Sequence, residues 1–191
     1  MKIALCFASI LSLLCACDSS TVDVQPMQVT EDTSMSIYTL PIRDLNGTKN
    51  AMDKFTGQVT LIVNVASKCG YTPQYRDLQT LHDRYHAQGF SVVGIPSNDF
   101  GGQEPGGAAE ITACALGYGA DFPLMEKVGV VDAEEQSAIY RFLAEATGET
   151  PNWNFCKYLI DQNGIPVAYY GSNVEPLSQE LTDRIDLILG N

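Results

Sequence analysis

The fold is decided by residues 59–73, which read VTLIVNVASKCGYTP. The run over residues 59–63 is apolar and largely β-branched, which predicts a buried strand over residues 59–65. Pro73 is suited to the first position of a helix, with Thr72 as its cap. Apolar residues at helical spacing then predict a helix that extends to residue 88. Cys69 therefore lies in the turn between a strand and a helix.

Such a turn is a place where a cysteine becomes reactive. The N–H groups at a helix N-terminus and the positive end of the helix dipole favour a thiolate over a thiol. Lys68 adds a positive charge beside Cys69. A small, buried and inert cysteine explains the same residue equally well at this point, because buried free cysteines are common.

The composition is that of an ordinary globular protein. The chain has 191 residues, of which 45% are hydrophobic and 18% are charged, so we expect one domain with a proper core. The formal net charge is −12. That charge argues against a basic surface for nucleic acid or for anionic lipid.

The N-terminus is predicted to be a targeting segment. Lys2 precedes an apolar run over residues 3–14, which is too short to span a bilayer but suits a signal peptide. Leu14-Cys15-Ala16-Cys17 resembles the lipobox of bacterial lipoproteins, whose last cysteine is acylated. We therefore expect a lipoprotein signal over residues 1–16, a lipid on Cys17, and a cell-envelope protein that faces the periplasm. An ordinary secretory signal or a buried N-terminal helix are the alternatives.

The domain is predicted to cover residues 36–191, after a flexible tether over residues 17–35. Its pattern continues with a strand over 91–96, helices over 108–116 and 134–146, strands over 154–160 and 165–170, and a helix from Leu177 to Ile188. The first strand, helix and second strand form a βαβ unit with parallel strands. The complete order predicts an α/β thioredoxin-like fold, in which helices flank a central mixed sheet.

The cysteine count argues against a disulfide framework. Cys69, Cys114 and Cys156 remain after the predicted signal and the lipidated residue are removed. Three thiols in an exported protein leave at least one free or reactive. No CxxC pair exists, and no spacing is typical of a zinc site.

Three motifs resemble those of the glutathione peroxidase family. They occur in the family's order, and they are residues 64–72 (NVASKCGYT), 100–106 (FGGQEPG) and 153–157 (WNFCK). The resemblance spans about residues 36–189. It implies a peroxidase of antioxidant defence that reduces hydrogen peroxide and organic or lipid hydroperoxides. It implies no cofactor and no metal.

The resemblance also assigns site residues. The family's active selenocysteine or cysteine falls on Cys69, and its glutamine, tryptophan and asparagine fall on Gln103, Trp153 and Asn154. All three partners are neutral hydrogen-bond donors, as the stabilisation of a thiolate and of a departing alkoxide requires. Taken singly, Gln103 could order a loop, Trp153 could fill a core, and Asn154 could bond a strand edge.

Cys114 resembles the resolving cysteine of the members that use thioredoxin. The resemblance implies that it forms a disulfide with Cys69, after its short helix unwinds between flanking glycines, and that a thioredoxin-like protein is the reductant rather than glutathione. It also implies a monomer, because the insertion of tetrameric members is missing between residues 122 and 153. Direct reduction of Cys69 by an external thiol is the alternative.

Other functions stay open from the sequence alone. A membrane-tethered redox sensor or thiol-binding module could keep this fold and turn over little. A thiol–disulfide oxidoreductase is disfavoured, because Thr72 stands where a CxxC motif has its second cysteine. The family's frequent glutamine is replaced by Asp99, which places a negative charge near the site loop.

Overall fold

The computed structural model of the protein describes residues 35–131 and 134–191. The predictions that concern the signal peptide, Cys17 and nearly all of the tether therefore lie outside the described residues. Among the helices of the described ranges, none combines the length and the apolar character that a membrane span requires.

Four strands form one mixed sheet in the order β2-β1-β3-β4. They are β1 (Val59–Val65), β2 (Phe90–Pro96), β3 (Lys157–Ile160) and β4 (Pro166–Tyr170). Strand β1 is parallel to β2 and antiparallel to β3, and β3 is antiparallel to β4. All residues of β1 and β2 are buried, as a continuous apolar run predicts for central strands.

Helices cover both faces of this sheet. They are α1 (Tyr75–Tyr85), α2 (Ala108–Gly117), α3 (Ala138–Thr147) and α4 (Gln179–Leu189). Because side chains alternate along a strand, Leu61 and Val63 pack in one core with α1 and α4. Ile62 packs in the opposite core with α3. The predicted arrangement of a central mixed sheet with flanking helices is confirmed.

The region after Cys69 differs from the prediction in detail. A 3₁₀ helix, Thr72–Gln74, precedes α1, and another, His86–Gln88, follows it. Thr72 does not cap a helix. Its Oγ1 accepts a hydrogen bond from the Cys69 N–H at 3.0 Å and donates one to the Ala66 carbonyl at 2.9 Å. The hydroxyl therefore closes the turn that carries Cys69.

The starts of α3 and β3 show the largest other differences from the prediction. Helix α3 begins at Ala138 because Ser137 caps it, with Oγ accepting from the Tyr140 N–H. Strand β3 begins at Lys157 because Phe155 has a positive φ of 65°, a value that a strand cannot contain.

Candidate active site

The predicted site residues lie at one edge of the sheet. Cys69 follows β1, and residues 97–107 follow β2, which is parallel to β1. Trp153 and Asn154 precede β3, whose first residue, Lys157, is paired with Val63 near the end of β1. The carboxyl ends of parallel strands are where open α/β sheets hold their sites.

Cys69 is nearly buried, with 8% of its surface exposed. The Tyr71 N–H donates to its sulfur at 3.4 Å. An N–H that points at sulfur stabilises a thiolate more than a thiol. The turn is fixed by the Thr72 hydroxyl, so the sulfur is held in place before any substrate arrives.

The loop over residues 97–107 is tied to this turn. The Lys68 N–H donates to the Gln103 carbonyl at 3.0 Å. Asp99 does not face the sulfur as an unpaired charge, because its Oδ2 accepts from the N–H groups of Val130 and Val131 at 2.6 and 3.1 Å. The residue that departs from the family pattern thus joins two loops.

Asn154 is fully buried behind Gln103. Its Nδ2 donates to Gln103 Oε1 at 3.0 Å and to the Phe100 carbonyl at 3.4 Å. The contact sets which end of the Gln103 amide faces Asn154, and the NH₂ end is therefore turned away from it. Asn154 orients a donor rather than presenting its own NH₂ group outward.

Trp153 lies over the same loop. The residue is 39% exposed. Its ring packs against Phe100, with ring centroids 6.1 Å apart and planes inclined by 55°. A partly exposed indole keeps an N–H that can donate to a bound molecule. The structure thus brings Gln103, Trp153 and Asn154 together beside the Cys69 turn.

Two side chains beneath this turn were not predicted from the sequence. Asn64 Nδ2 donates to the Trp153 carbonyl at 2.8 Å, and the Asn64 carbonyl accepts from the Phe155 N–H at 2.6 Å. Lys157 has no exposed surface, and its Nζ donates to the Phe155 carbonyl at 2.8 Å. Burial lowers the pKa of Lys157 to about 8. A lysine inside an apolar run is the signal that could have identified it.

Glu104 was also missed. It is 1% exposed, and its Oε2 accepts from the Ser67 hydroxyl at 3.0 Å. Burial raises the pKa of Glu104, and the Ser67 hydrogen bonds and the positive charges of Lys127 and Lys68 reduce that effect. The carboxyl lines a surface cleft of about 480 Å³ that also contains Cys114.

Cys114 lies on α2, half buried, with its sulfur 3.8 Å from the Ser67 carbonyl. Cys69, Cys114 and Cys156, the three cysteines within the described ranges, are free thiols. Helix α2 buries two side chains, Ile111 and Ala115. It borders three surface clefts, of about 250, 330 and 480 Å³, so few of its side chains are held in the core.

The chain is anchored on both sides of α2. Before the helix, Lys127 Nζ donates to the carbonyls of Glu104 and Gly106 at 3.1 and 2.9 Å. After it, the Gly94 N–H donates to the Pro123 carbonyl at 2.9 Å, and the Met125 N–H donates to the Gly94 carbonyl at 2.9 Å. These hydrogen bonds hold the chain at both ends of α2.

A metal centre is not formed by the described residues. Nowhere in residues 35–131 and 134–191 do three or more His, Cys, Asp or Glu side chains come together as ligands. His82, which helical spacing brings near His86, uses Nδ1 to accept from the Val92 N–H at 3.1 Å.

Two proteins of known name are similar to this one over most of its length. A hydroperoxy fatty acid reductase of Synechocystis is 42% identical over 172 residues, which cover 84% of this chain and 100% of the relative. A glutathione peroxidase-like peroxiredoxin of Saccharomyces cerevisiae is 42% identical over 154 residues, covering 76% and 94% of the two chains.

Solved structures agree with the fold and the family. The crystal structure of a Trypanosoma cruzi protein named GPX1 has 30% identity and a TM-score of 0.63, and the match covers 82% of this chain and 98% of that one. A thioredoxin-family thiol:disulfide interchange protein from Chlorobium tepidum has 19% identity and a TM-score of 0.57 over 78% and 92%. The latter likeness confirms the thioredoxin-like fold.

The family model described as glutathione peroxidase matches residues 37–144, which include Cys69, Gln103 and Cys114. The two relatives, which are named as a hydroperoxy fatty acid reductase and a glutathione peroxidase-like peroxiredoxin, match 84% and 76% of this chain. The protein therefore belongs to the glutathione peroxidase family, a family of oxidoreductases that act on peroxides.

Proposed function

We propose that Cys69 is the residue that reduces the peroxide. Its thiolate attacks the distal oxygen, the O–O bond breaks, and the departing oxygen takes a proton to become water or an alcohol. Cys69 is left as a sulfenic acid. The observation that carries this proposal is the Tyr71 N–H on the Cys69 sulfur, in a turn already fixed by Thr72.

The leaving oxygen is stabilised by the Gln103 amide and the Trp153 indole N–H. The Asn154 contact to Gln103 Oε1 supports this arrangement, because it turns the NH₂ end of the Gln103 amide outward. Asn154 thus acts through Gln103. Donors that are oriented in advance need no rearrangement when negative charge develops.

The substrates are hydrogen peroxide and organic or lipid hydroperoxides. The half-exposed Trp153 offers an apolar surface over the loop that carries Gln103, which suits an acyl chain. A relative named hydroperoxy fatty acid reductase, 42% identical, supports this class of substrate.

Cys114 resolves the sulfenic acid. Its thiolate attacks the Cys69 sulfur, hydroxide leaves and takes a proton to become water, and a Cys69–Cys114 disulfide forms. The proximity of the Cys114 sulfur to the Ser67 carbonyl and the small number of buried side chains on α2 support this step. A thioredoxin-like dithiol then reduces the disulfide, which the peroxiredoxin name of the yeast relative supports.

We also propose that the protein is a monomer anchored through an acylated Cys17 to the cell envelope, facing the periplasm. The lipobox-like residues 14–17 support this location. Mass spectrometry of the mature N-terminus is expected to find an acylated Cys17. A mature chain that begins elsewhere would exclude the anchor.

One experiment tests the chemistry. Reduced protein receives one equivalent of peroxide, and its peptides are mapped before and after addition of thioredoxin or glutathione. We expect a Cys69–Cys114 disulfide that thioredoxin reduces readily and glutathione poorly. A persistent sulfenic acid on Cys69, or a bridge to Cys156, would contradict the resolving role. Oxidation without renewed peroxide consumption would favour a redox sensor of low turnover.

A further inference from the structure

We propose that Lys157 is a positioning residue that keeps the turn over residues 153–155 in the shape that the peroxide reaction needs. This inference rests on the proposed function, in which Trp153 donates to the leaving oxygen and Asn154 orients Gln103. Lys157 itself does not touch the reacting atoms.

The turn has an unfavourable backbone at Phe155. Its φ of 65° lies in the left-handed region, which a bulky residue other than glycine rarely adopts. Such a conformation persists only where the surroundings impose it, and it is typical of functional sites. Phe155 is fully buried and packs edge-on against Tyr75, with ring centroids 5.6 Å apart. Its backbone N–H and carbonyl must therefore find their hydrogen-bond partners within the protein.

Both backbone groups of Phe155 are held by β-sheet neighbours. The N–H donates to the Asn64 carbonyl at 2.6 Å, and the carbonyl accepts from Lys157 Nζ at 2.8 Å. An ammonium group is the stronger type of donor to a carbonyl. Loss of that donor would leave a buried acceptor without its partner and would favour a backbone that continues β3 towards residue 154.

The consequence for the site follows from strand geometry. If Phe155 became extended, the side chains before it would rotate towards the opposite face. Asn154 would then leave Gln103, and Trp153 would lose the contact of its carbonyl with Asn64 Nδ2. Lys157 therefore controls the direction of two site residues from a position behind them.

Packing alone would favour an apolar side chain at position 157 over a charged one. The side chain has no exposed surface and follows Phe155 and Cys156 into a strand of apolar residues. Burial lowers the pKa of Lys157 to about 8, while Cys156 and Glu175 partly favour the charged form. A methionine would fill similar space without a buried charge. Packing alone therefore does not explain a buried ammonium at this position, a pattern expected of a functional residue.

The test uses Lys157→Met, with Lys49→Met, an exposed lysine, as the matched control. Trp153 is the only tryptophan of the chain, so its emission reports directly on this turn. Three quantities are measured: the emission spectrum, the rate constant for oxidation of Cys69 by hydrogen peroxide, and the melting temperature.

We expect Lys157→Met to melt no lower than the unmodified protein, to shift the emission of Trp153, and to slow the oxidation of Cys69. The expected loss is about 10- to 100-fold, as for a small misplacement of catalytic groups. Lys49→Met should match the unmodified protein in all three measurements. Unchanged emission and rate in Lys157→Met would overturn the inference. A slower rate that merely follows a lower melting temperature would overturn it as well.

Asn64→Ala removes the hydrogen bond from Asn64 Nδ2 to the Trp153 carbonyl and keeps the Asn64 carbonyl that accepts from the Phe155 N–H. It therefore tests the same turn at Trp153 and covers the case in which Lys157→Met does not fold. It should also shift the emission and slow the oxidation while the protein stays folded. Unchanged emission in that variant would overturn the inference. Absence of any peroxide reaction at Cys69 in the unmodified protein would instead contradict the proposed function, and the emission shift would still be measurable.

Discussion

Two segments beside Cys69 differ sharply in how they are held. In the turn over residues 153–157, Asn154, Phe155 and Lys157 are fully buried. Asn154 Nδ2, Lys157 Nζ and both backbone groups of Phe155 have hydrogen-bond partners, whereas the buried Asn154 Oδ1 has none. Helix α2, which carries Cys114, buries only two side chains and borders three surface clefts. The segment proposed to meet the peroxide is buried and held by hydrogen bonds, whereas the segment proposed to meet the sulfenic acid has few buried side chains.

The largest expected effect comes from removing the sulfur of Cys69, beside which both segments lie. Cys69→Ser should reduce peroxide consumption to the uncatalysed level, because a hydroxyl is a far poorer nucleophile at neutral pH. Stopped-flow measurement of peroxide loss checks this. Cys156→Ser is the matched control, since Cys156 is also buried but bonds to Asn152 and Ser172. Near-normal turnover in Cys69→Ser would remove the assignment.

A smaller effect on the rate is expected from Gln103, which Asn154 of the buried turn contacts. Gln103→Ala should slow the oxidation of Cys69 by about 100-fold, as for the loss of one transition-state donor, and should leave disulfide formation from the sulfenic acid unchanged. Gln179→Ala, at the exposed start of α4, is the control. Equal rates for the two variants would show that Gln103 only orders its loop.

The buried ammonium of Lys157 makes the free energy of unfolding depend on pH. The pKa of Lys157 is about 8 in the folded protein and close to 10.5 in an unfolded chain. Between these values the unfolded chain carries a proton that the folded protein has released, so stability relative to Lys157→Met rises with pH. The total rise is at most about 3 kcal/mol. Urea unfolding of both proteins on either side of this window measures it, and a constant difference would contradict a buried ammonium.

The smallest expected effect concerns helix α2 and the rate of disulfide formation. Gly117 ends α2 in open space, so Gly117→Ala should stabilise the helix by up to about 1 kcal/mol and slow disulfide formation by up to about fivefold. Ala113→Gly, in the exposed middle of the helix, should accelerate it by a similar factor. Neither should change the oxidation of Cys69. Equal disulfide rates in both variants would show that α2 need not unwind.

The sequence predicts the central elements well, because their patterns are local. Strand β1 has the predicted bounds and β2 begins one residue early, since an uninterrupted apolar run has one stable location in an α/β fold. The start of β3 could not be predicted from its apolar run. Its beginning depends on a Phe155 conformation that is imposed by side chains distant in the chain.

The motifs predicted which residues lie together in the candidate site, but not how their side chains are oriented. Motifs identify Gln103 and Asn154, yet no pattern tells which end of the Gln103 amide faces Asn154. Lys157 was missed because a lysine is seldom fully buried, and Glu104 because its carboxyl is covered only after residues 97–107 fold over Ser67. Such contacts join segments that are far apart in sequence, so they emerge only in three dimensions.

The anchors on either side of α2 set the competition for the sulfenic acid. Lys127 holds Gly106, and Gly94 holds Pro123, so an unwound α2 remains a closed loop whose reach from either anchor is at most about 30 Å. A thiol on such a short tether behaves as though it were present at an effective concentration on the order of millimolar. An external thiol would have to approach that concentration at the protein to intercept Cys69 before Cys114 does. If Cys114 resolves the sulfenic acid as proposed, the two anchors give the protein's own cysteine a kinetic advantage over an external thiol.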